Sequence, residues 1–389
     1  RIMDRLAQQM KRRGPSLSSR VADRIAAAVS AGPGGEPSPY RAPPDSGSAD
    51  RVAEELCRLE GGSRALLYCS GMTAINRTLD VLRRPGRSQV IAIGHLYNDT
   101  FQGLVESQGP DEQNLFLGVD EIDTLDARIG ARTAAILTET ITNPLSDVPD
   151  LIELSRIANA HGVPLVVDNT LATPVNCRPL TLGADYVVHS TTKYLNGRND
   201  HGGGAVIVKD PRLVAELERR QSALDDRMSA LEAGALEGNL RSVPQRMDRY
   251  HANAARVSAL LAEHPAVGRL YFNGHPSHRC YQTARRLLNG PGSVISFTLA
   301  RADVEAFRAF YDSPLAGILK APSLGSDLTL LCPYTLLTHS KETDEQLHAI
   351  GLPRYLARIA VGCEQDIAPV LESLDAALRR SLMVPEIPA

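Results

Sequence analysis

The apolar positions in the middle of the chain fall into short runs closed by polar residues. Leu165-Val166-Val167 and Tyr186-Val187-Val188 are brief and β-branched, the pattern of strands buried on both faces of a parallel sheet. ALLYC at 65–69, SQVIAIG at 88–94 and the start of TAAILTETITNPL at 133–145 share that character. Helical patterns lie between them. RVAEELCRLEGG (51–62) is amphipathic and closes on a glycine stop, another helix opens at Ser70-Gly71-Met72, and a third covers 150–161. Strand and helix thus alternate over 65–210, which predicts an α/β fold with a parallel sheet and right-handed crossovers. After AVIVKD, residues 212–263 are rich in Ala, Leu and Arg and read as helices that link this large domain to a C-terminal one. Beyond them SVISFTL, LTLLC and LARIAVG alternate with helices, the pattern of a smaller α/β domain. Residues 1–30 are basic with a helical pattern, and 31–50 are rich in Pro, Gly and Ser, a loop or extended arm. The expected organisation is an arm over 1–50, a large domain over 51–245 and a C-terminal domain over 246–389.

Composition narrows the class. The chain has 389 residues, room for two or three core-forming units, with 43% hydrophobic residues and a net charge of −3. Those values suit a soluble globular enzyme and give no reason to expect nucleic-acid or membrane partners. No run reaches the roughly 18 apolar residues of a spanning helix, and no signal peptide is evident, although the sequence opens at Arg1. The six cysteines are scattered without a CxxC, which favours free thiols in a reducing cytoplasm over a disulfide framework or a metal site. The ten histidines show no ligand spacing such as HExxH, so each reads as a core or surface histidine, and no metal is expected. No internal repeat is visible.

Chemistry in such sheets gathers at the carboxyl ends of the strands. One of the two valine-rich strands ends in Asp168 and the other in His189-Ser190-Thr191-Thr192-Lys193. An acid, hydroxyls and a lysine therefore converge on one crevice. That set suits pyridoxal 5′-phosphate, with the lysine forming the Schiff base and the acid keeping the pyridine nitrogen protonated. A helix start after glycine, as at Gly71-Met72, offers free amides and a positive dipole end for a phosphate. Taken singly, each signal has a plainer reading: Ser-Gly-Met is a common helix start, Tyr97 a core aromatic, Asn143-Pro144 a turn and Arg358 a surface arginine.

Taken together the blocks resemble the Cys/Met-metabolism family of pyridoxal-phosphate enzymes, which includes cystathionine γ-synthase, the cystathionine lyases and methionine γ-lyase. The resemblance spans about 50–380. It rests on S-G-M-x-A-I at Ser70, on D-N-T followed by G-A-D and S-x-T-K at Asp168 to Lys193, on N-P at Asn143, on S-L-G at Ser323 with T-H at Thr338-His339, and on R-x-x-V-G-x-E at Arg358. It implies the aspartate-aminotransferase-like fold of fold type I. It further implies that Gly71, Met72, Ser190 and Thr192 hold the cofactor phosphate, Tyr97 stacks on the ring and Asn143 lies near its phenolic oxygen. Asp168 then pairs with the ring nitrogen, Lys193 is the anchor and general base, and Arg358, helped by Ser323, clamps the substrate carboxylate. Its Tyr-x-Arg, which reaches a neighbouring subunit's phosphate, has its nearest match in Tyr40-Arg41, with no residue between the two. Asn98 and Asp99 stand where the family has two glycines after the tyrosine, Ile141 replaces a proline and Ala360 a serine. Asp327 stands near the place of a glutamate that faces the distal end of the substrate.

The activity so implied is γ-replacement or γ-elimination on an activated homoserine, cystathionine or a methionine-like amino acid, in a cytoplasmic homodimer or homotetramer with shared sites. Three alternatives stand beside it: β-elimination at a C–S bond, a specialised member with another γ-leaving group such as the sulfonium of S-adenosylmethionine, and a non-catalytic scaffold that keeps the fold.

Overall fold

The computed structural model describes residues 47–108 and 113–385. Contacts divide the chain into two units. One runs to Thr140 and resumes over Pro149–Val243; the other takes Ile141–Val148 and the chain from Pro244 on. Within the 51–245 span expected for the large domain, a short segment between a strand and a helix packs with the second unit.

The first unit opens with α1 (Ser48–Glu60), β1 (Arg64–Tyr68), α2 (Gly71–Leu82), β2 (Gln89–Ile93), α3 (Asn98–Glu106) and β3 (Leu115–Leu117). It continues through β4 (Thr133–Glu139), α4 (Leu151–Ala160), β5 (Leu165–Asp168), α5 (Thr173–Asn176), β6 (Tyr186–Ser190), β7 (Gly204–Val208), α6 (Ala215–Leu224) and α7 (Ala230–Leu240). Local chemistry sets the boundaries. Gly61 ends α1 in the left-handed region at φ 74°, Ser70 caps α2 through the Thr73 amide, and Ser229 and Glu232 form a capping box at α7. The strands line up in the order β1-β7-β6-β5-β4-β2-β3. Val166, Val167, Val187 and Val188 are completely buried in its centre, each stabilising the fold by about 1.5–3 kcal/mol relative to exposure.

One strand departs from the expected parallel sheet. β7 runs antiparallel to both β6 and β1. The reason is the connection: after β6 the chain makes a loop without a crossover helix, and it re-enters directly alongside, with Gly204 opposite Ser190.

The second unit contains α8 (Val243–Glu263), β8 (Val267–Tyr271), α9 (Tyr281–Leu287), β9 (Val294–Leu299), α10 (Val304–Tyr311), β10 (Ile318–Lys320) and β11 (Thr329–Pro333). α11 (Tyr334–Thr338), α12 (Asp344–Ala349), β12 (Leu356–Ala360) and α13 (Ala368–Leu382) complete it. Its sheet has the order β10-β11-β12-β9-β8, with β10 parallel to β11 and the other pairs antiparallel. Phe297 and Phe310 meet edge to face in its core, with ring centroids 5.6 Å apart. β12 is central and carries Arg358 between Cys332 and Ser296.

Gly204 has no room for a side chain. A Cβ there would drive into the Ser70 carbonyl oxygen and stand 2.8 Å from Gly71 Cα, both of them backbone. Gly204→Ala is expected to destabilise the protein by about 1–3 kcal/mol, seen as a lower denaturant midpoint at unchanged slope.

Candidate active site

β5 delivers Asp168 to the carboxyl edge of the sheet, level with Glu139 on β4 and Val188 on β6. The Thr170 amide donates to Asp168 Oδ1 at 2.9 Å, and the Thr170 hydroxyl accepts the Ser190 amide at 2.8 Å. One threonine thus ties the acid to the end of β6. Burial pushes the Asp168 carboxyl above its ordinary value, against the hydrogen bonds from Thr170 and the charge of His189. A cationic partner is what would favour ionisation there.

Beyond β6 the loop is tied to β7. The Thr191 amide donates to the Gly203 carbonyl at 3.0 Å and Thr192 Oγ1 accepts the Gly203 amide at 3.1 Å. The Lys193 amide donates to Ser190 O at 3.3 Å, and its own carbonyl accepts from Gly197 at 2.7 Å. The chain contains five lysines. Among the described residues Lys193 alone of them is half-buried, while Lys209, Lys320 and Lys341 are exposed.

The start of α2 faces the same edge. Ser70 takes the Thr73 amide with its side chain and the Ala74 amide with its carbonyl, which leaves the amides of Gly71 and Met72 for a ligand. A Cβ on Gly71 would lie 2.7 Å from Ser190 Cβ, so only glycine lets the helix start come this close to Ser190. Two amides, a dipole end and a hydroxyl make a cradle that fits a phosphate. Thr100 Oγ1 donates to Met72 Sδ at 3.5 Å and joins the start of α3 to this cradle. Tyr97, just before α3, is anchored by its amide on Glu139 Oε1 at 2.5 Å and keeps 42% of its surface exposed. Its phenol donates to Asp99 Oδ2 at 3.1 Å.

The remaining site candidates lie in the second unit. Arg358 is only 4% exposed. Nη1 donates to Asn143 Oδ1 at 3.0 Å, Nη2 to the carbonyls of Pro322 at 2.5 Å and Ser323 at 3.2 Å, and the guanidinium lies 5.1 Å from the Tyr334 ring centroid. Its buried Nε has no hydrogen-bond partner. A fixed guanidinium with a donor to spare fits an incoming carboxylate. Ser323 contributes its main chain to Arg358, Asn143 precedes a cis Asn143–Pro144 bond, and Asp327 is exposed. Tyr40 and Arg41 lie outside the described residues.

Several residues to which the sequence assigned no role hold the candidates in place. Thr170 and Glu139 position Asp168, Ser190 and Tyr97, and Glu60, at the end of α1, reaches the Asn169 and His189 side chains. Nothing in the apolar pattern separates Glu60 from a solvated helix acid. Asp147, His278 and Cys280 meet in the second unit with metal-ligand atoms. Arg279 occupies both Asp147 oxygens at 2.7 and 2.5 Å, His278 Nε2 donates to Leu145 O at 3.0 Å, and burial pushes the Cys280 thiol to about 11. A cation would have to displace a guanidinium, so the cluster is packing and not a metal site.

Residues 46–379 match the family described as Cys/Met metabolism PLP-dependent enzyme. The chain belongs to this family. L-methionine gamma-lyase of Pseudomonas putida is 35% identical over 331 residues, 84% of this chain and 81% of that one. Cystathionine beta-lyase of Lactococcus lactis is 31% identical over 349 residues, 89% of this chain and 90% of that one. The crystal structure of cystathionine gamma synthase from Xanthomonas oryzae pv. oryzae in complex with cystathionine superposes with a TM-score of 0.81 at 31% identity, covering 87% of each chain. The protein is therefore a pyridoxal-phosphate-dependent enzyme of fold type I, with β- or γ-elimination or replacement in Cys/Met metabolism as its chemistry. No helix among the described residues is long and apolar enough to cross a membrane.

Thr170→Val tests the link between acid and cradle. Without the hydroxyl the Asp168 carboxyl should rise further, followed by carbon NMR of labelled aspartate. The orphaned Ser190 amide should lower stability by about 1–3 kcal/mol in denaturant unfolding.

Proposed function

We propose that the enzyme carries out γ-elimination or γ-replacement on an amino acid with a leaving group at Cγ, such as an activated homoserine, cystathionine or a methionine-like substrate. The observation that carries this reading is the half-buried Lys193, held by its backbone between Ser190 and Gly197 on the edge that also bears Asp168. When bound, pyridoxal phosphate supplies an electron sink for the charge left at the substrate Cα.

The residues divide the remaining work. The Gly71 and Met72 amides with the Ser190 and Thr192 hydroxyls would hold the phosphate, Tyr97 would cover the ring, Asn143 would serve its phenolic oxygen, and Asp168 would keep a proton on the ring nitrogen. Lys193 would anchor the cofactor aldehyde, and its amine, when free, would serve as the base for the substrate Cα proton and as the proton carrier at Cβ that lets a Cγ substituent depart. Positioned proton transfer of this kind contributes about 10²–10⁴ in rate. Arg358 is assigned the substrate carboxylate, supported by its unpartnered buried Nε. A homodimer or homotetramer with Tyr40 serving a neighbouring subunit belongs to the same reading.

Two of the three relatives named above are γ enzymes by their names, which favours γ over β chemistry. One observation favours a narrower reading. Asp99 sets a carboxylate on the Tyr97 phenol where the family has glycine, and an anion there favours a cationic leaving group such as a sulfonium over an anionic one.

Borohydride reduction with pyridoxal phosphate should fix the label on Lys193 among the five lysines, and Lys193→Ala should lose both label and turnover. Release of α-ketobutyrate supports γ chemistry, whereas pyruvate as sole product rules it out. Arg358→Lys should lower kcat/KM by roughly 10–100-fold through KM, the cost of losing the charged fork.

A further inference from the structure

Glu60 is the last residue of α1 and is completely buried. A polar side chain in such a place needs hydrogen-bond partners from the protein, because water does not reach it. Its side-chain partners are an asparagine and a histidine, with no lysine or arginine beside it. Oε1 accepts from Asn169 Nδ2 at 2.7 Å and faces His189 Nε2 at 2.6 Å, while Oε2 and His189 Nδ1 are buried without partners. Asn169 is fastened on its other sides as well: its Oδ1 accepts from Thr140 Oγ1 at 2.8 Å, its Nδ2 donates also to Cys177 O at 2.9 Å, and its amide donates to Val188 O at 2.9 Å.

The two residues that Glu60 grips have informative neighbours. Asn169 directly follows Asp168, and His189 directly precedes Ser190. Side chains alternate along a strand, so the grip falls on the face opposite to the one that presents Asp168 and Ser190. One carboxylate oxygen thereby fastens the ends of two adjacent strands from behind. We infer that Glu60 is a positioning residue that sets the distance between Asp168 and Ser190 and so matches the site to a ligand carrying a ring nitrogen and a phosphate at its two ends. It touches neither end of the ligand. The inference rests on the proposed roles of Asp168 and Ser190.

A positioning role differs from plain core support in what it does to a two-ended ligand. When two contacts are held at the right separation, the second forms almost without further loss of freedom, and a misplacement of about 1 Å costs on the order of 10²-fold. Ligands that use one contact do not feel the separation. The experiment titrates wild-type and Glu60→Gln apo-protein with pyridoxal phosphate, with pyridoxal and with inorganic phosphate, alongside denaturant unfolding of each. Expected is a loss of about tenfold or more in affinity for pyridoxal phosphate, with much smaller losses for pyridoxal and for phosphate. Equal losses for all three, or an unchanged affinity for pyridoxal phosphate, overturns the inference. If Glu60→Gln fails to fold, Glu60→Asp replaces it, since it keeps the charge and shortens the reach, with the same outcomes read. His189→Gln, which retains a donor for Glu60, should bind close to wild type, while His189→Leu should follow Glu60→Gln; equal behaviour of these two also overturns it. Failure of the wild-type protein to bind pyridoxal phosphate at Lys193 would instead overturn the proposed function, so the two failures are distinguishable.

Discussion

The candidate site depends on the contact between the start of α2 and the end of β6. At Gly71 the helix backbone rests against Ser190, and at Gly204 the neighbouring strand rests against Ser70, with no space for a single added carbon at either place. Two backbones and a strand end are pressed together where an anion can be met by peptide groups alone. Precision of this sort comes from the rigidity of close-packed interiors: the valines beneath cannot yield, so the polar rim inherits their order.

Above that apolar base the strand ends carry a polar layer that is heavily cross-linked. Thr170 joins Asp168 to Ser190, Glu139 holds the Tyr97 backbone, and Asn169 collects five hydrogen-bond partners. Buried polar groups are tolerable only when so connected, and a connected set fixes one arrangement in preference to many. The raised carboxyl of Asp168 fits the same logic. An acid kept from water is poised for a cation of defined position, the part proposed above for the ring nitrogen of the cofactor.

Much of this was legible in the residues. Short valine-rich runs ending in Asp168 and in Ser190 marked two strands that do end side by side, because strand periodicity and strand ends are local properties. The reversed β7 was not legible, since direction depends on whether the connection holds a helix, and the glycine-rich loop before Gly204 says little about it. Glu60 was invisible for a different reason: its burial is decided by Asn169 and His189, more than a hundred residues away in sequence. Arg358 is the intermediate case. Its composition pointed to the surface, its motif pointed inward, and the central position of β12 agrees with the motif.

The excursion of Ile141–Val148 has a consequence for how the protein can be divided. Ser296 reaches the Pro144 carbonyl, Asn273 the Ser146 hydroxyl, and Arg358 the Asn143 side-chain oxygen, so the C-terminal half contains a plug supplied from upstream of α4. A gene cut between Val243 and Pro244 would yield a fragment lacking a piece of its own interior. Either half expressed alone would therefore lack, or carry unpaired, the segment that completes the second unit.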